Sequence, residues 1–303
     1  PPSAPSAAAA AAVAAETPSW PKRLELVAAG GGGSHERITR ELAQALSGAV
    51  PVTVVPPAAG DSSLASLGTP GRLAIVRHDA LRAARASGGP SLQVLAPLFK
   101  EEALFIVRAD SKLKAIHELR GQRVALGSEG GALLRDTLQR IVGARLVRPA
   151  VGRDRLLAEL VAFRTIDAIV VVDPQPSAWW NGLPPATARR LRLLTLEAAA
   201  NASDRRLLQA FGSSVSHGGT GAGRKNRTTT PAVMSYLVAS VDGGPDADGA
   251  LQLTRQLCDA LPQLRRDGHP VWKRLQPGTG PDPGWPLMKA AQTTLERCVA
   301  RQR

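Results

Sequence analysis

The chain has 303 residues, of which 44% are hydrophobic but only 3% aromatic, and it carries a formal net charge of +13 with two cysteines. That length suffices for two lobes, each burying a core of Leu, Val, Ile and Ala. The positive charge favours anionic partners. The arginines are spread along the chain, however, with no run of five or six like charges and no basic helix interleaved with aromatics, which argues against nucleic acid. No apolar stretch reaches the roughly 18 residues that a membrane-spanning helix needs. Cys258 and Cys298 are not in CxxC spacing, which excludes a zinc ribbon or a thioredoxin-type site. A disulfide between them and two separate buried thiols both remain open.

In chain order, residues 1–20 are Ala/Pro-rich and are expected to form a disordered tether, as in an exported protein whose signal peptide has been removed. Apolar runs then alternate with helical patterns, the signature of βαβ units around a largely parallel sheet. A strand at 24–28 leads through a glycine loop at 30–33 into a helix at 35–46, with Ile38, Leu42 and Leu46 on one face and Ser34 in the N-cap position. A strand at 50–55, a short helix at 61–67, a strand at 73–76 and a helix at 79–86, with Asp79 as its cap, follow. Strands at 92–99 and 104–107 are joined by Lys100-Glu101-Glu102. Beyond a short helix at 116–119, a strand at 124–127 and a second glycine loop at 128–131 open a helix at 132–142. A helix at 155–163 precedes a strongly apolar strand at 166–172 that stops at Asp173-Pro174. The remainder reads as a strand at 191–196, a helix at 203–211, a basic glycine-rich loop at 212–227, a strand at 232–240, an amphipathic helix at 248–264 and a terminal helix at 285–300.

One arrangement occurs twice, about a hundred residues apart: strand, glycine loop with a serine, helix. A helix N-terminus presents unpaired N–H groups and a partial positive charge, and glycine lets a ligand approach the backbone. A carboxylate or phosphate suits such a place. Two of them, one per lobe, would grip an anion from both sides. The first lobe then contributes Gly33, Ser34 and His35, with Arg77 and His78 at the lip of the sheet, where α/β folds bind ligands and where Arg77 could pair with a carboxylate. The second contributes Ser128, Gly130 and Gly131, with Asp173, Pro174 and Ser177 after the apolar strand and Thr228 near a crossing between lobes. Glu129 lies in the second loop and must point away from an anion. Trp179 and Trp180 read as core residues or as an apolar wall.

Five segments, LELVAAGGGGSHERITRELAQAL, LAIVRHDAL, LAPLFKEEALFIVRADSKLKAIHELRGQRVALGSEGG, IDAIVVVDPQPSAW and TTTPAVMSYLVAS, together resemble the TAXI family of solute-binding subunits of TRAP transporters. ELRGQRVALGS is the most specific of these, although it is similar to other type II periplasmic binding proteins as well. The resemblance implies a two-lobed α/β fold, each lobe a mostly parallel sheet flanked by helices. It implies lobe 1 over 21–102 plus 236–303 and lobe 2 over 103–235. It also implies a periplasmic or otherwise extracytoplasmic monomer that hands a small, carboxylate-type solute to membrane-embedded transporter subunits, with no cofactor and no metal. Three departures stand out. His35 occupies the neighbourhood of an aromatic, Asp173 stands where a small residue is usual, and GTGPDPGWPLMK lacks the family's C-terminal pattern.

Those departures keep a sensor or scaffold of a signalling system in view, alongside an ABC-type binding protein. An enzyme on the same scaffold finds little support. There is no GxSxG elbow and no HExxH spacing, and GGGGSHER is not GxGxxG. HGGTGAGRKN has Arg224 at the P-loop lysine position and precedes a strand instead of following one, so it reads as a surface loop.

Overall fold

The structure, a computed structural model, describes residues 22–28, 33–48, 50–57, 64–127, 131–147, 152–217, 228–275, 277 and 281–301, with backbone alone for 131–133 and 217. In chain order its elements are β1 (Leu24–Val27), α1 (Ser34–Leu46), β2 (Val52–Val55), β3 (Arg72–Arg77), α2 (His78–Ala86), β4 (Leu92–Arg108), β5 (Arg123–Leu126), α3 (Gly131–Thr137), β6 (Arg145–Leu146), α4 (Arg153–Ala158), β7 (Ala168–Pro174), α5 (Ala178–Asn181), α6 (Pro185–Ala188), β8 (Leu191–Leu193), α7 (Ala202–Phe211), β9 (Ser213–His217), β10 (Thr228–Ser240), α8 (Ala247–Asp267) and α9 (Lys289–Arg301).

Among the described residues the strands make one mixed sheet in the order β2-β1-β3-β10-β4-β7-β5-β6, with β8 paired to β4 and β9 to β10. The outer pairings are parallel, β1 with β2 and β3, and β5 with β6 and β7. The pairings made by β4 and β10 are antiparallel. This is a two-lobed α/β architecture in which two long strands run from one half into the other. The first part of β4 lies against β10, and its last part lies against β7.

The two strands expected at 92–99 and 104–107 are therefore a single strand, and Lys100-Glu101-Glu102 is not a turn. Glu101 and Glu102 stay extended, opposite Val233 and Ala232 of β10 on one side and Pro174 and Asp173 of β7 on the other. Charged residues inside an apolar run look like a connection, yet here their side chains find partners and the ladder continues. The expected helix at 61–67 reduces to a single tight turn, Ala65–Gly68, with 61–63 outside the described residues. The loop expected at 212–227 begins with β9, paired to β10, and β10 starts at Thr228 instead of 232. Residues 218–227, most of the P-loop-like segment, and the tether at 1–20 lie outside the described residues.

Apolar side chains form clusters on both faces of each half. One gathers Leu26, Ile38, Leu42, Phe99, Leu257 and Trp272 under α1, α8 and α9, and another Val76, Leu81, Val94 and Tyr236 beneath α2. Beyond the crossing, Phe105, Leu138, Val170 and Phe211 form a third, and Ile106, Leu160, Ile169 and Trp180 a fourth. Each fully buried Leu, Ile or Phe contributes about 2 kcal/mol. Cys258 of α8 and Cys298 of α9 are joined by a disulfide, Cα to Cα 5.9 Å, which decides the alternative the spacing left open. Among the described residues no helix is long and apolar enough to cross a membrane.

Candidate functional site

α1 begins immediately after Gly33, and Gly33 is its N-cap residue, with φ 63° and ψ −125°. Such dihedrals favour glycine. Ser34, expected as the cap, is instead the first residue of the helix, and no side chain caps it. A Cβ added to Gly33 would meet nothing within 4 Å, so its backbone faces open space.

His35, one residue on, is buried. Its Nε2 donates to Glu101 Oε2 at 3.0 Å, linking α1 to the crossing strand β4. Ser235 Oγ, from β10, donates to Glu101 Oε1 at 2.6 Å. Burial alone would depress the His35 imidazolium, but the charge and hydrogen bond of Glu101, with help from Asp173, more than offset it and raise the pKa. Burial would likewise raise Glu101, but His35 and Arg77 nearby and the bonds from His35 and Ser235 hold it down at about 2. The result is an ion pair inside the protein at the crossing of the lobes.

Asp173 and Ser177 sit on the other side of that crossing. Asp173, fully buried at the end of β7, accepts from Arg153 Nη2 at 3.0 Å and from Ser177 Oγ at 2.5 Å. The Ser177 hydroxyl in turn accepts from Trp180 N and so caps α5, while Ser177 N donates to Glu102 Oε1 at 3.2 Å. The Arg153 guanidinium lies 5.2 Å from the centre of the Trp179 ring. Trp180 belongs to the apolar core. Pro174 ends β7, opposite Glu101. The start of α1 packs against β7, so the two sets of groups form one polar centre. Each carboxylate in it meets donors from its own surroundings. Among the described residues no group of three or more His, Cys, Asp or Glu side chains is placed to hold a metal ion.

The remaining candidates fall out differently. The Arg77 guanidinium is gripped by Asp79 through two bonds, Nε to Oδ1 at 3.0 Å and Nη2 to Oδ2 at 3.1 Å. Asp79 is thus a clamp on Arg77 and not a helix cap, and Arg77 does not stand ready for a ligand carboxylate. His78, the first residue of α2, is buried 6.3 Å from the Tyr236 ring, and burial, with Arg82, lowers its pKa. Gly131 starts α3, which packs against α2. Thr228 opens β10 opposite His217. Ser128, Glu129 and Gly130 lie outside the described residues, as do the glycines at 30–32.

Five participants escaped the reading of the sequence: Glu101, Glu102, Arg153, Ser235 and His269. Two acidic residues interrupting a 17-residue apolar run, at 101 and 102, were the available signal. Ser235 sits in TTTPAVMSYLVAS without any local mark. His269, buried beside the same centre, feels Asp173 and His35, while burial lowers its pKa. Its Nδ1 accepts from Val271 N at 3.2 Å, so the neutral ring carries its proton on Nε2. Among the described residues that buried N–H has no acceptor.

Comparison with known proteins adds the fold. No protein-family model and no curated protein sequence matches the chain. Among solved structures it is similar to a TctC solute-binding protein from Polaromonas, at 17% identity, covering 92% of this chain and 96% of that one with a TM-score of 0.51. It is also similar to the periplasmic binding protein BugD, at 14% identity, 93% and 96% coverage and a TM-score of 0.53. A third is MatC from Rhodopseudomonas palustris with bound malate, at 14% identity, 92% and 97% coverage and a TM-score of 0.50. The chain therefore shares the two-lobed α/β fold of these periplasmic binding proteins.

Proposed function

We propose that this chain is an extracytoplasmic solute-binding protein that captures a small carboxylate between its two lobes, which divide near residues 102 and 235, and delivers it to a membrane-embedded transporter of the TRAP type. One observation carries the reading: α1, both crossing strands and the β7–α5 junction send polar side chains to a single buried centre at the lobe crossing. A hinge held only for stability would be packed with apolar groups, because burying charges costs free energy that pairing barely offsets.

The acids of that centre are answered by His35, Arg153, Ser177 and Ser235, so a bound anion would not face bare negative charge. The open backbone at Gly33 and the His269 N–H, without an acceptor among the described residues, are donors for a carboxylate and for a second polar group. MatC, of the same fold, was solved with malate, which supports a hydroxy- or dicarboxylate. The disulfide between Cys258 and Cys298 supports an oxidising compartment. The likeness of the five segments taken together to TAXI proteins supports the transporter assignment, and no catalytic residue is assigned.

A thermal-shift screen of mono-, di- and tricarboxylates at neutral pH tests this, since any ligand of the folded state raises the melting temperature by mass action. At least one acid should stabilise the protein, and Gly33→Ala should abolish that gain, on top of a basal loss of about 1–3 kcal/mol because φ 63° strains alanine. If no acid shifts the transition and denaturing mass spectrometry finds no co-purified small molecule, the proposal fails. A sensor on the same fold is the second reading, favoured by the titratable His35–Glu101 pair. It predicts ligand stabilisation that changes sharply between pH 6 and 8, which transport does not require.

A further inference from the structure

His269 is a buried histidine, 2% exposed, with one ring nitrogen engaged and the other not. Its Nδ1 accepts from Val271 N at 3.2 Å and so caps the tight turn Pro270–Arg274, while its own backbone N–H donates to the Glu41 carboxylate at 2.9 Å. A ring nitrogen that accepts holds a lone pair, so the imidazole is neutral and its one proton is on Nε2. Flipping the ring would put a carbon opposite Val271 N–H and strand that donor, which fixes the direction of Nε2. Nε2 is closed to solvent, and among the described residues no group accepts from it. A buried N–H left unpaired costs free energy, which an acceptor on a bound molecule recovers.

The surroundings decide which acceptor fits. The charges that reach the ring are those of Asp173, Glu41, Arg37 and His35, and two of these, Asp173 and His35, belong to the polar centre at the lobe crossing. The ring therefore borders that centre. The Glu41 and Asp173 carboxylates disfavour a further carboxylate beside them, and a neutral ring has no charge to set against the repulsion. An ammonium group has three donors and no acceptor, so against Nε2 it would set donor against donor. A hydroxyl or keto oxygen is neutral and accepts.

We propose that His269 is a specificity-determining residue of the solute site: its Nε2–H takes a hydroxyl or keto oxygen of the bound acid, so that hydroxy and keto acids are preferred over amino acids and over acids with no such oxygen. The proposal rests on the solute-binding reading and narrows its substrate class. A site built to hydrogen-bond an oxygen discriminates against an analogue that lacks it, because the buried donor is then left unpaired.

Calorimetric titration of the whole oxidised chain at neutral pH with three matched series tests this: lactate, pyruvate, alanine and propionate; malate, aspartate and succinate; citrate and tricarballylate. In any series that binds, the hydroxy acid should exceed its amino and unsubstituted analogues by about tenfold or more. Two variants separate recognition from capping. In H269N the Asn oxygen stands near the place of Nδ1 and can keep the bond from Val271 N, but the Nε2–H is gone; the preference for the hydroxyl should collapse to within about twofold. In H269Q the amide reaches toward the place of Nε2 while the cap is lost; the preference should persist. A histidine that only caps its turn predicts the reverse, H269N harmless and H269Q damaging. Nitrogen-15 histidine NMR of the wild-type chain needs no variant: the Nε2 resonance of His269 should shift with the hydroxy acid and not with its unsubstituted analogue. Equal affinities within every binding series, or a preference that survives in H269N, overturns this proposal alone. Absence of binding in all three series counts against the solute-binding reading, and the proposal falls with it.

Discussion

Two buried carboxylates at the lobe crossing, Glu101 and Asp173, solve the same problem in different ways. Asp173 is answered by an arginine, whose charge does not depend on pH, and by the cap serine of α5. Glu101 is answered by a histidine, whose charge does, and by Ser235. One side of the crossing is thus permanently paired and the other conditionally paired, within a single polar centre.

The largest effect that would break this comparison is Asp173→Ala. It strands Arg153 without its carboxylate inside the protein, and a loss of about 3–5 kcal/mol in urea unfolding is expected. Because arginine stays charged, the loss should change little between pH 6 and pH 9, beyond the small share that Asp173 contributes to holding His35 charged; a strong pH dependence would remove the contrast.

Next comes Glu101→Gln, expected to lose about 2 kcal/mol near pH 5.5 and clearly less at pH 9. The signs follow from the shifts. Glu101, held at about 2 against an ordinary 4.5, contributes stability that is complete above 4.5 and fades as pH falls toward 2. His35, raised above its ordinary 6.5, contributes stability that is complete below 6.5 and fades as pH rises through its higher value in the folded protein. The pair is strongest between about pH 4.5 and 6.5. Equal losses at both pH values would show that His35 is not charged there.

The smallest effects sharpen the comparison through the two serines. Ser177→Ala removes both the Asp173 bond and the α5 cap, and about 1–2 kcal/mol is expected. Ser235→Ala removes one bond to Glu101 and should cost about 1 kcal/mol. Chemical denaturation of both variants checks the order.

Much of the architecture was legible as periodicity. The helix at 35–46 and the strand at 166–172 are found within two residues of where the apolar pattern placed them, the helix because one-sided burial imposes a period and the strand because burial on both faces leaves an unbroken apolar run. The expected largely parallel sheet is found in the outer wings, while its centre is antiparallel, which follows from β4 and β10 being long crossings that no local pattern announces. His35, Asp173 and Ser177, named from their positions at the ends of βα turns, meet in the polar centre. Glu101 was not named, because a charged triplet in an apolar run carries the same local signature whether it turns or continues. The difference lies in His35 and Ser235, 66 and 134 residues away. Arg77 shows the opposite case: its place at the strand end was legible, but the partner that holds its guanidinium, Asp79 two residues on, was read as a helix cap.

The unbroken passage of β4 and β10 through the crossing has a mechanical consequence. Flexible linkers let two bodies swing freely, whereas here both spans remain stitched to each other by a shared ladder, so any relative rotation has to be spread along a twisted ribbon as elastic torsion. Slack in that ribbon is concentrated where the register slips, between Ser235 and Tyr236 and between Leu237 and Val238. Movement about this axis should be springy and self-restoring, its stiffness tuned by those two irregularities and not by the length of any loop.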